Sequence, residues 1–231
     1  MISDSEVHSR IVTREPTKQT LILASASPRR HRILRGLGIS FEVVDSGLDE
    51  ELFSGSSPEE TATLLATNKA ESAAGRHSTG IVLAADTVIG FRGHHLGKPV
   101  DNPHASEMLR QLRGFTHEVI TGISVLDLES GRQISTAVST RVTMRKYGEV
   151  EIEEYIGSGE PFGKAGAYAI QGLGSSLISS YEGCYNNIVG LPLCETVVLL
   201  SKVGFELTGA KERCRLPSGE PCPRIGRKIQ E

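Results

Sequence analysis

Short apolar runs alternate with helix-spaced apolar positions along most of the chain. Leu21–Ala24 is a short run of strand type, and Ser25-Ala26-Ser27-Pro28-Arg29-Arg30 turns it into a helix. Ser27 is a capping residue and Pro28 suits a first turn. Ile33, Leu34 and Leu37 then share one helical face, which Gly36 and Gly38 close. Phe41–Val44 predicts a second strand. Ser57-Pro58-Glu59-Glu60 has the pattern of a capping box with proline at the first helical position, opening a helix to about Ala74. Ile81–Ala85 predicts a buried strand that ends at Asp86-Thr87. Asn102-Pro103 starts a helix that Gly114 stops. His117–Asp127 and Gln133–Met144 predict an antiparallel pair around the turn Glu129-Ser130-Gly131. Glu149–Ile156 reads as a short helix, Ser175–Ser180 as a strand and Leu191–Val203 as a last helix ended by Gly204. Helices mixed with both adjacent and crossover strands predict an α/β fold with a mixed, twisted sheet and flanking helices.

The two ends lack this patterning. Residues 1–19 carry no periodic apolar positions, and residues 208–231 are polar, rich in Pro and Gly, and basic on balance. They are expected to be a flexible N-terminal extension and a flexible basic tail around one folded unit, residues 20–207. A chain of 231 residues is long enough to bury a full core without disulfides or metals. With Lys+Arg 25 against Asp+Glu 28, the formal charge of -3 disfavours a protein that wraps nucleic-acid polymer. Aromatic residues are only 5% and Trp is absent, so stacking platforms for single strands are disfavoured too. Cys184, Cys194, Cys214 and Cys222 form no C-x-x-C pair and gather no histidines, which fits thiols in a reducing compartment. No apolar segment approaches the ~20 residues of a membrane helix, and the N-terminus has no secretory pattern. A cytoplasmic protein without membrane contact is expected.

Several familiar motifs are missing. There is no P-loop, no G-x-G-x-x-G after a strand, no H-E-x-x-H and no G-x-S-x-G. What remains is a set of charged residues at element ends. Ser25, Arg29 and Arg30 lie where a strand becomes a helix N-terminus, whose free N–H groups and dipole favour an anion. Arginine adds geometry suited to phosphate oxygens, although simple capping with solvated arginines accounts for a bare S-P-R-R equally well. Asp86 ends an apolar strand, where a general base or metal ligand is useful; a turn-forming aspartate is the commoner explanation of such a residue alone. Glu50 is a second acidic candidate for a divalent ion, set against a solvated acidic loop. Lys69 lies on a helix, while Lys98 (Leu96-Gly97-Lys98-Pro99) and Lys164 (Gly163-Lys164-Ala165-Gly166) sit in glycine- and proline-framed loops. Singly each lysine reads as exposed; with the arginines and acids they resemble a cradle for a triphosphate–metal complex. Gln171 stands among glycines, where a buried amide is able to read a base edge. Asn187 and the Val-Gly-Leu-Pro turn after it serve equally as a helix entry.

These residues occur in an order that resembles the Maf family of nucleoside triphosphate pyrophosphatases. The likeness rests on Leu23–Arg30, Ala85–Val88, Leu96–Pro99, Ser158–Gln171 and Asn187–Leu193, and covers about Leu21–Val203. It implies an inosine triphosphate pyrophosphatase-like fold with two lobes around a cleft, residues 20–207 as the catalytic domain, pairing into a homodimer, and hydrolysis of a nucleoside triphosphate to monophosphate and pyrophosphate with Mg²⁺ or Mn²⁺. By the same resemblance Asp86 is the proton acceptor and, with Glu50, a metal ligand. Arg29, Thr87 and Gln171 bear on substrate choice, and Ser25, Arg30, Lys69, Lys98 and Lys164 line the cleft. The chain departs from the family at Gly163, usually Asp, at Ala169, often Gly, and at Arg113, usually Ser. The Gln171-Gly172 step resembles the dTTP/UTP subfamily; the 7-methyl-GTP subfamily carries a carboxylate there. A uracil or thymine edge pairs one N–H donor and one carbonyl with an amide, while guanine's adjacent donors suit a carboxylate. The alternatives are a 7-methyl-GTP pyrophosphatase and a nucleotide-binding regulator of cell division without turnover.

Overall fold

Central strands buried on both faces build a single mixed sheet with a different core on each face. The structure, a computed structural model, describes residues 19–48 and 57–207; the N-terminal extension, Glu50 and the basic tail lie outside the described residues. In chain order the strands are β1 (Leu21–Ala24), β2 (Phe41–Val44), β3 (Ile81–Phe91), β4 (His94–Leu96), β5 (Thr116–Asp127), β6 (Gln133–Met144) and β7 (Ile178–Glu182). The helices are α1 (Pro28–Gly36), α2 (Pro58–Ala74), α3 (Asn102–Leu112), α4 (Glu149–Gly157), α5 (Tyr185–Val189) and α6 (Leu193–Lys202), with 3₁₀ turns at Ala165–Ala167 and Gly172–Leu177. The sheet order is β2-β1-β3-β5-β6-β7, with β4 also on β3. β1 is parallel to β2 and β3, and the remaining pairs are antiparallel. This is the predicted mixed α/β architecture.

Leu21, Leu23, Ile81, Leu83 and Ala85 pack with Leu34 of α1 and Leu199 and Leu200 of α6. The alternate residues Ile22, Ala24, Val82 and Ala84 pack against Ala70 and Ala73 of α2, as the two-residue period of a strand demands. A further core joins the far end of β3 (Ile89, Phe91) to α3, α4 and the loop at Tyr168. Each fully buried aliphatic side chain in these clusters contributes roughly 1.5–3 kcal/mol.

Along one edge of β3 pairing is unbroken: β5 runs opposite from Ile81↔Asp127 to Gly90↔Glu118. Along the other edge β1 ends at Ala24↔Ala84, and β4 begins at Ile89↔Leu96. Residues 85–88 therefore face a gap. The sequence predicted a strand that ends at Asp86-Thr87; instead Asp86 lies mid-strand, because β5 continues the ladder past it. The turn Arg92-Gly93, with φ of 53° and 81°, returns β4 onto β3, the positive-φ pair of a tight hairpin. The last strand is also displaced from prediction, to Ile178–Glu182, since Gly172–Leu177 winds into a 3₁₀ turn. Ser27 occupies the N-cap position of α1 without a side-chain cap bond, whereas Ser57 Oγ accepts from Glu60 N at 3.2 Å.

The helix α2 lies unusually close to the sheet because its inner face is built from alanines over a glycine. A Cβ added to Gly122 would stand 2.0 Å from Ala62 O. Gly122 is the cross-strand partner of Asp86, so this approach also sets how α2 stands over that carboxylate. Gly122→Ala is expected to cost at least about 2 kcal/mol of stability in urea denaturation, as an overpacking change does. Gly36→Ala, with nothing within 4 Å, is expected to be neutral or to stabilise by up to about 1 kcal/mol, as alanine does in place of a helical glycine.

Candidate active site

A cleft of about 300 Å³ opens at the gap between β1 and β4. Ser25, Arg29, Arg30, Lys69, Asp86, Thr87, Lys98, Lys164 and Gln171 all line it. The structure thus brings these nine candidates together from elements far apart in the chain; Asn187, also singled out from the sequence, lies outside the lining and holds the loop behind it. Residues Asp45, Ser46 and Leu48 after β2, and Tyr168, Ile188 and Val189, complete the wall.

The floor is an ion pair. Lys69 Nζ stands 2.5 Å from Asp86 Oδ1, with side-chain exposures of 9% and 8%. Even period on β3 turns Asp86 toward α2, and Lys69 lies two helical turns beyond Ala62, the residue that touches Gly122. The lysine, read singly as exposed, is therefore buried. Odd period turns Thr87 to the opposite face, where its hydroxyl meets Thr121 Oγ1 at 2.9 Å.

Adjacent arginines serve different ends. Arg30 donates from Nε to Gly190 O at 2.8 Å, from Nη1 to Ser25 Oγ at 3.1 Å and from Nη2 to Thr87 Oγ1 at 3.1 Å. It is a clamp tying α1 to β3 and to the loop after α5. That loop is fixed in turn by Asn187, whose amide donates to Val119 O and Thr140 Oγ1 at 2.8 and 3.0 Å. Gly190, at φ 117°, makes the turn. Arg29 donates from Nε to Val189 O at 3.3 Å. Burial and its neighbour Arg32 lower its affinity for a proton. Lys164 is lowered likewise, first by burial and then by Arg29, against a smaller raising by Glu160. Cations crowded in this way are relieved by an arriving anion.

Gln171 departs from expectation: it is exposed at the rim rather than buried. Lys98 is exposed as well, on a loop that Gly97 O ties to Gly166 N at 2.9 Å. Tyr168 is buried, with its hydroxyl 2.6 Å from His117 Nε2. Burial lowers His117 to a pKa of about 4, so the imidazole is neutral at pH 7. Sequence reasoning did not single out His117, Tyr155 or Glu160. Each occupies an ordinary core or loop pattern, and only the glycines packed on the last two signal them.

Among the described residues no three His, Cys, Asp or Glu side chains gather at one point. Among the described residues Asp86 and Asp45 are the carboxylates of the cleft wall. A Mg²⁺-like ion is commonly held by one or two carboxylates plus substrate phosphates, so this donor set fits an ion whose shell the substrate completes. No helix among the described residues is long and apolar enough to cross a membrane.

Fold and cleft together define an α/β protein with a cleft that gathers arginine and lysine side chains around a buried carboxylate. A family model described as Maf-like protein matches residues 20–203, and the chain belongs to that family. It is 43% identical over 187 residues, 81% of this chain and 98% of the relative, to a protein of Pelotomaculum thermopropionicum named dTTP/UTP pyrophosphatase. A protein of Geotalea uraniireducens with the same name is 46% identical, over 81% of this chain and 96% of its own length. Among solved structures, that of the Staphylococcus aureus Ham1 protein aligns with TM-score 0.40 at 17% identity, over 56% of this chain and 75% of that one, a likeness too slight to add to the topology above.

Two stability outcomes are expected. Lys69→Met, which strands a buried carboxylate, should cost about 3–5 kcal/mol in urea denaturation, and adding Asp86→Asn should recover more than half of it. His117 holds fewer protons folded than unfolded, so its contribution is complete above pH 6.5 and lost as pH falls toward 4. Stability should drop by roughly 3 kcal/mol across that window, and His117→Gln should flatten the dependence.

Proposed function

We propose that the protein is a nucleoside triphosphate pyrophosphatase acting on dTTP and UTP, releasing the monophosphate and pyrophosphate. The observation that carries this reading is the convergence of Arg29, Lys98 and Lys164 with the Lys69–Asp86 pair on one cleft. The names and high coverage of the relatives support the same activity.

In this reading Arg29, Lys98 and Lys164 take the charge of the phosphate tail, positioned electrostatics being the largest help available to phosphoryl chemistry. Arg30 keeps Ser25 and Thr87 in place beneath it. Asp86, oriented by Lys69, accepts a proton from the water that attacks the α-phosphorus. The new P–O bond forms as the bond to the β-phosphate oxygen breaks, and pyrophosphate leaves with that electron pair. Asp86 and Glu50 would hold the divalent cation, which when bound supplies neutralisation of the triphosphate. The amide of Gln171 at the rim would pair with the N–H and carbonyl of uracil or thymine. A reducing cytoplasm and a homodimer belong to the same reading.

Pyrophosphate release from dTTP, UTP and 7-methyl-GTP, with and without chelator, tests the proposal. Release from dTTP and UTP that chelator abolishes is expected; tight binding without release would mark a regulator instead. Asp86→Asn should lose at least ~100-fold in kcat while keeping its fold, the lower end of general-base contributions.

A further inference from the structure

Gln171 itself is exposed and its side chain has no protein partner among the described residues, so its position depends on how its backbone is held. Two side chains outside the cleft wall hold it. Glu160 Oε1 accepts from Tyr155 OH at 3.1 Å and from Gly174 N at 2.9 Å, and Oε2 accepts from Leu173 N at 3.0 Å. Tyr155, on α4 and only 5% exposed, packs its hydroxyl against Gly174 beside the Ala169 backbone. The segment that carries Gln171 is thus bonded after it, at Leu173 and Gly174, by the Glu160 carboxylate and packed before it, at Ala169, beside the Tyr155 phenol.

The local sequence is shaped to admit that pair. Gly172 has φ 75°, and a Cβ there would stand 2.5 Å from Glu160 Oε2. A Cβ on Gly174 would stand 2.6 Å from Tyr155 OH and 2.6 Å from Ala169 O. Any larger residue at either position would push the tether away. The main-chain carbonyl of Glu160 also accepts from Lys164 Nζ, joining the same anchor to the phosphate side of the cleft. Burial pushes the Glu160 carboxyl up, but the N–H groups of Gly174 and Leu173 and the Tyr155 hydroxyl outweigh it and hold it below the usual range.

We propose that Glu160 and Tyr155 are positioning residues for base recognition: they fix the Ala169–Gly172 segment so that Gln171 meets the pyrimidine edge. The inference rests on the pyrimidine triphosphate reading above. Neither residue touches substrate; both act through backbone. Their loss should weaken contacts to the base more than contacts to the phosphates.

The test uses the full chain and two probes, UTP and inorganic tripolyphosphate, which has the phosphates without a base. Glu160→Ala is expected to raise KM for UTP roughly tenfold, the scale of losing a hydrogen bond to a charged acceptor. The tripolyphosphate inhibition constant should stay within about twofold, and kcat within a few-fold. Tyr155→Phe should move the same ratio in the same direction by a smaller factor, and it decides the matter if Glu160→Ala does not fold. A purely structural role would lower the melting temperature and leave the ratio of the UTP KM to the tripolyphosphate constant unchanged; that outcome overturns the inference while the pyrophosphatase reading stands. If the unsubstituted protein releases no pyrophosphate from UTP, the underlying reading fails, and the inference falls with it.

Discussion

β3 carries β5 along the whole of one edge, while β1 on the other edge stops at Ala24 and β4 starts only at Ile89. An edge interrupted between β1 and β4, beside a continuous antiparallel one, opens a gap without ending the strand. Asp86 and Thr87 sit in that interruption, pointing to opposite faces because successive strand residues alternate. The site described here is arranged around those positions. Lys69 reaches one face from α2, and Arg30 reaches the other from α1.

Electrostatics explains why this arrangement suits an anion. Asp86 is satisfied by Lys69 within a nearly dry floor, a geometry that makes removal of either partner costly. Burial and Arg32 lower Arg29, and burial and Arg29 lower Lys164, burial being the larger cause for both. In the proposed reading an anion of high charge density complements such a wall, against backbone that is already fixed by Arg30, Asn187 and Glu160. Positioning of this kind precedes chemistry and is paid for in folding.

Much of this was legible in the sequence, and for identifiable reasons. The capping pattern at Ser57, the apolar run at Ile81 and the turn at Glu129-Ser130-Gly131 are local signals, and the elements they predict are present. Arg29, Arg30, Lys98 and Lys164 were legible as a set because they occupy a helix start and glycine-framed loops. What escaped depends on tertiary pairing. That β3 outruns Asp86 follows from β5, some thirty residues away. The burial of Lys69 follows from the alanine face of α2 lying on Gly122, which no helical period announces. The displaced start of β7 reflects the Glu160 bonds to Leu173 and Gly174, and the exposure of Gln171 reflects the same tethered turn. Glu160 itself looks like one more loop carboxylate until Gly172 and Gly174 are seen packed against it.

The most direct test of the account is a crystal structure with the α,β-imido analogue of UTP and Mg²⁺. The account places the α-phosphorus over the Asp86 carboxylate with room for one intervening water, a near-attack separation of about 3–3.5 Å from that water to phosphorus. The β- and γ-phosphates should lie among Arg29, Lys98 and Lys164, with the uracil at Gln171. A triphosphate bound away from Asp86, or turned so that the uracil occupies the cationic wall, would contradict it.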